Sequence, residues 1–108
     1  LLGAGRLAVM TITKQDFIDT GAGVPDTENL INIPLQIEEV QASVLITEPV
    51  DFGPVRVSLR SKGAIDVSKL AEQFGGGGHA RAAGLKLDGY SVQQAHETVV
   101  NAVLQRLT

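Results

Sequence analysis

Phe74-Gly75-Gly76-Gly77-Gly78-His79-Ala80-Arg81-Ala82-Ala83-Gly84 is the stretch on which the reading of this chain turns. Four consecutive glycines precede an imidazole, and a guanidinium stands two places beyond it. Glycine loses the most backbone freedom on folding and has no side chain to pack. A folded chain keeps four in a row where the backbone takes unusual dihedrals or where something approaches it closely. Flexible linkers also use glycine runs. Here no serine-, proline- or charge-rich sequence surrounds the run, and apolar patterning resumes on both sides. Ala80, Ala82 and Ala83 are small and favour helix. The stretch therefore predicts a glycine loop that opens a helix and aims backbone N–H groups at an anion.

Two known phosphate loops do not fit. The Walker pattern ends in Gly-Lys-Ser or Gly-Lys-Thr, and this run ends Gly78-His79-Ala80. The loose dinucleotide fingerprint is met by Gly75, Gly77 and Ala80, but it needs a strand leading in. What leads in here is a helix. Asp66 is its N-cap, and Val67, Leu70, Ala71 and Phe74 form its apolar stripe.

Upstream, Val55 to Arg60 alternates as a strand does: Val55, Val57 and Leu59 face one way, Arg56, Ser58 and Arg60 the other. Val40 to Thr47 is a strand with Val40, Ala42, Val44 and Ile46 on one face. The turn Glu48–Pro54 joins the two as a hairpin. Arg6 to Thr13 carries apolar groups on both faces, the mark of a central strand. Thr13 to Asp16 is a capping box, and a short helix holding Asp16 and Asp19 follows to about Thr20. A second short helix, capped by Asp26, is closed by Pro34. Downstream, Leu85–Leu87 is a short strand. Ser91 and Gln94 cap a final helix that buries Val92, Ala95, Val99, Ala102, Val103 and Leu107. The fold class is α/β: a mixed sheet of about four or five strands flanked by helices, in a single domain.

Composition narrows the function. There is no cysteine, so disulfide and thiolate chemistry are excluded, and a cytoplasmic location is expected. No apolar run reaches membrane-spanning length. His96-Glu97 begins like a zinc-protease helix, but Val100 stands where the second histidine belongs. The net charge of -3 hides an asymmetry: residues 54–86 hold six basic and two acidic residues, the remainder three basic and ten acidic. The positive half is the half with the glycine run, which favours a small anionic ligand over a broad nucleic-acid surface.

Gly76-Gly77-Gly78-His79-Ala80-Arg81-Ala82-Ala83-Gly84 resembles the GGGH-x-x-AAG motif of the DHH-associated domain, the small C-terminal domain of DHH phosphoesterases. Ser58-Leu59-Arg60-Ser61 and the order of elements resemble it too, over about residues 6 to 107. The subgroup it is most similar to is the NrnA type, oligoribonuclease and pAp phosphatase. The resemblance implies that this chain is the substrate-binding piece of a larger protein. An N-terminal DHH domain would hold the catalytic metal, usually manganese, and no cofactor is expected here. Implied substrate contacts are Arg60, Ser61, Gly75, Gly76, Gly77, Gly78, His79 and Arg81, with no catalytic or metal-ligating residue. The implied partners are short RNA or a phosphorylated nucleotide and the DHH domain in cis; a homodimer stays open. A cyclic-di-AMP phosphodiesterase, an exonuclease or an exopolyphosphatase, or a module that packs its glycine loop on another domain, are the alternatives.

Overall fold

A computed structural model describes residues 5–14, 30–49, 53–63 and 65–107. Its strands are β1 (Leu7–Ile12), β2 (Ala42–Thr47), β3 (Val55–Ser61), β4 (Gly77–His79) and β5 (Ala82–Leu87). They form one mixed sheet in the order β1-β2-β3-β5-β4. β1 and β2 run parallel; every other pairing is antiparallel. Among the described residues, the helices α1 (Val67–Glu72) and α2 (Val92–Leu107) join this sheet in the α/β domain read from the sequence.

Both helices lie on one face. Alternation sends Val44 and Ile46 of β2, Val55, Val57 and Leu59 of β3, and Ala83, Leu85 and Leu87 of β5 into a single core. α1 contributes Val67, Leu70 and Ala71; α2 contributes Ala95, Val99, Val100, Val103 and Leu107. Each fully buried Val or Leu stabilises the fold by about 1.5–3 kcal/mol, so this layer fixes which way every strand faces. Both helix starts are capped as expected. The Asp66 carboxylate accepts from the N–H groups of Ser68 and Lys69. Ser91 and Gln94 exchange backbone–side-chain bonds at 2.9 and 3.1 Å. The Arg6 guanidinium donates to the Leu107 carbonyl and ties the start of β1 to the end of α2.

Two local expectations fail. β1 is an edge strand of the described sheet, not a central one. Its two apolar faces have separate uses: Leu7 packs into the main core, and Ala8 is buried outside it. Pro34 does not close a helix. It sits at the start of a 3₁₀ turn, Ile33–Gln36, where its fixed φ is already suitable and its missing N–H goes unused. The helix expected to about Thr20, with Asp16 and Asp19, lies outside the described residues, as does most of the helix capped by Asp26.

The second face of the sheet divides. On its β1–β2 half, Ala8, Ser43 and Leu45 are buried, and the 3₁₀ turn contacts β2. On its β3–β5–β4 half, no described helix lies across the strands, and Arg56, Lys86, Gly77 and His79 are exposed.

Candidate functional site on the open half of the sheet

The glycine stretch does not open a helix. α1 ends in a Schellman arrangement: the N–H of Gly76 donates to the Ala71 carbonyl and that of Gly75 to the Glu72 carbonyl. Gly75 is the left-handed residue this motif requires, at φ 82°. The chain then runs extended as β4, and Ala82, Ala83 and Gly84 belong to β5. Helix propensity of the alanines loses here to ladder pairing, Gly77 with Gly84, Gly78 with Ala83 and His79 with Ala82. Ala80 and Arg81 form the turn between, and their carbonyls accept from the N–H groups of Val67 and Ser61 at 2.9 and 3.0 Å. The amides of Gly75 and Gly76 are spent within the chain, so a helix-start anion nest does not exist at this point.

The pairing instead builds a surface. Register places Ser43, Arg60, Ala82 and His79 in one row across β2, β3, β5 and β4, with Ser43 buried on the covered half and Arg60, Ala82 and His79 on the open half. The next row is Leu45, Ser58, Gly84 and Gly77. The row after that holds Thr47, Arg56 and Lys86. The open half is thus a bare strip of Ser58, Gly84 and Gly77 between Arg60 and His79 on one side and Arg56 and Lys86 on the other. Part of it is a pocket of about 500 Å³ lined by Arg56, Ser58, Gly76, Gly84, Lys86 and Asp88.

The glycines differ in what they are for. A Cβ on Gly76 would meet the Gly84 carbonyl oxygen at 2.2 Å, and one on Gly78 would meet the Ala82 carbonyl oxygen at 2.6 Å. A Cβ on Gly77 would meet nothing within 4 Å. Packing within this chain therefore demands glycine at 76 and 78 but not at 77.

Arg60 and His79 come together in one row, and Gly77 lies one row away. Ser61 does not join them: it points to the core side, is buried, and its hydroxyl donates to the Ile65 carbonyl while accepting from the Gly63 N–H. Strand alternation makes this unavoidable, since neighbours in a strand face opposite ways. Arg81 lies past the end of the row, its guanidinium beside Gly63. Neither Lys86 nor Arg56 is among the contacts expected from the sequence. The signal for Lys86 was Leu85-Lys86-Leu87, whose alternation places the ammonium opposite the core, but its pairing with Arg56 needed the register. His96 is half-buried on α2, the helix that packs on the opposite face of the sheet.

Profile comparison matches residues 5–108 to the DHHA1 domain. This chain is a DHHA1 domain. It is 36% identical over 90 residues to the bifunctional oligoribonuclease and PAP phosphatase NrnA of Thermus thermophilus, covering 83% of this chain and 27% of that protein. It is 36% identical over 69 residues to the cyclic-di-AMP phosphodiesterase PdeA of Listeria monocytogenes, covering 64% of this chain and 10% of that protein. The crystal structure of an exopolyphosphatase-related protein from Bacteroides fragilis superposes with a TM-score of 0.78 at 30% identity, over 99% of this chain and 30% of that one. The DHHA1 domain thus spans less than a third of the length of each of these relatives. Its described residues do not fit a metal centre: among them no three His, Cys, Asp or Glu side chains converge, and His79 and His96 lie on separate elements.

Proposed function

We propose that this DHHA1 domain holds the phosphorylated end of a nucleotide or short RNA for a metal-dependent DHH phosphoesterase that hydrolyses oligoribonucleotides or pAp. The observation that carries this reading is the row that brings Arg60 and His79 onto one open face beside a bare Gly77. A guanidinium offers two parallel N–H donors to a phosphate. Imidazole adds a directional donor. Glycine at 77, which the fold does not need, lets a ligand settle against the strand backbone. The attacking chemistry belongs to a separate DHH domain with its manganese ions, for which the greater length of the relatives leaves room. This domain contributes binding and orientation.

The test is an NMR titration of the chain with pAp and with a diribonucleotide. Amide shifts are expected at residues 58–60 and 75–84. Shifts spread evenly over the surface, or absent from these two stretches at millimolar ligand, reject the reading.

A further inference from the structure

Two cations on the open half-face have no part in the reading above. Arg56 and Lys86 are directly opposite one another on β3 and β5, both exposed, and both line the 500 Å³ pocket. Neither side chain has a hydrogen-bond or ion-pair partner within the described residues. Like charges placed opposite each other on neighbouring strands destabilise the pair. An anion lying between them reverses the sign of that interaction and takes charge-assisted hydrogen bonds from both. Asp88 also lines the pocket, so two cations face one carboxylate and positive charge remains in excess.

Position along the strand sets what such an anion is. Arg56 and Arg60 are four residues apart on the same face of β3, about 13 Å at the rise of an extended strand. The oxygens of a single phosphate do not bridge that distance, whereas two phosphates of one nucleotide chain do. Between these two rows lie Ser58, Gly84 and Gly77, one small side chain and two glycines, which leave the strip clear. We propose that Arg56 and Lys86 form a second phosphate subsite, so that the domain grips an oligonucleotide at two separate phosphates and discriminates it from a mononucleotide. This rests on the assignment of the first phosphate to the Arg60 row.

The experiment is a fluorescence-anisotropy titration of the chain with a 5′-phosphorylated triribonucleotide and with a labelled nucleoside monophosphate, across a salt series. Wild type is compared with the Arg56→Ala/Lys86→Ala double variant, with Arg60→Ala, and with Lys69→Ala on α1 as a control for general charge. The double variant is expected to bind the trinucleotide roughly tenfold more weakly and to lower the slope of log affinity against log salt by about 0.7, the value for one phosphate contact on a single strand. Its affinity for the monophosphate stays within twofold, and Lys69→Ala changes neither ligand. An unchanged trinucleotide affinity and slope in the double variant overturn the second subsite alone. Equal losses for both ligands also overturn it, because the pair then belongs to the first site. If Arg60→Ala weakens neither ligand, the assignment of the first phosphate fails and the second falls with it. Thermal melts that match wild type keep each result free of unfolding.

Discussion

Gly76 and Gly77 are neighbours with the same chemistry, yet the fold treats them in opposite ways. Gly76 lies where the chain leaves α1 and crosses the backbone of β5 so closely that no side chain fits. Gly77 faces the open half of the sheet with free space above it. A glycine run can thus hold two unrelated demands, one from packing inside the chain and one from whatever approaches from outside. A run read as one feature hides the distinction; the position of each Cβ reveals it.

Substitutions that separate these demands come in order of expected size. Gly76→Ala and Gly78→Ala each place a methyl group within 3 Å of β5 backbone atoms. Overpacking against backbone that cannot move should cost about 3 kcal/mol, a drop of roughly 10–20 °C in Tm for a domain of this size by calorimetry. If either alanine variant melts with wild type, the close crossing of β5 is not what the chain adopts. Next comes Arg60→Ala, which leaves the core intact and removes a charge-assisted donor. Nucleotide affinity should fall ten- to a hundredfold, about 1.5–3 kcal/mol, with Tm barely moved, as isothermal calorimetry and thermal melts would report. Gly77→Ala sharpens the comparison further. Its stability should stay within about 0.5 kcal/mol of wild type, while nucleotide binding weakens severalfold because the methyl group occupies the ligand's approach. Unimpaired binding by Gly77→Ala would leave glycine at that position without a purpose.

The smallest effect concerns α1, which delivers the chain to the glycine run. The Asp66 carboxyl is held below its ordinary pKa, first by the hydroxyl of Ser68 and then by the N–H groups of Lys69 and Ser68; partial burial opposes these. The unfolded chain therefore binds this proton more readily, and stability falls as pH falls. The cap's contribution is complete above the ordinary carboxylate range near pH 4 and is lost as pH drops through the lower folded value. Melts of wild type and Asp66→Ala at pH 7 and pH 3 should show a small gap that closes at the lower pH. A gap that widens on acidification contradicts the cap.

Much of this molecule follows from local pattern. The alternation of Val55 to Arg60, the Asp66 cap and the Ser91–Gln94 box each concern residues only a few places apart. Periodicity and hydrogen-bonding capacity within one element therefore fix them. The same alternation places Arg60 on a polar face and, by the same rule, sends Ser61 to the other. Where the reading failed, the cause lay between elements. Ala80, Ala82 and Ala83 favour helix in isolation, but β3 offers an unpaired edge, and pairing with it satisfies backbone groups along β5 that a short helix would leave to water.

Residue type and spacing alone were enough to mark out a glycine–histidine stretch beside a strand carrying Arg60, because short-range order and composition are written in neighbouring residues. Which residues meet was settled by strand register, a long-range property that no window of the chain contains. Register put His79 in the row of Arg60, set Lys86 opposite Arg56, and separated the glycines that packing requires from the one it leaves free.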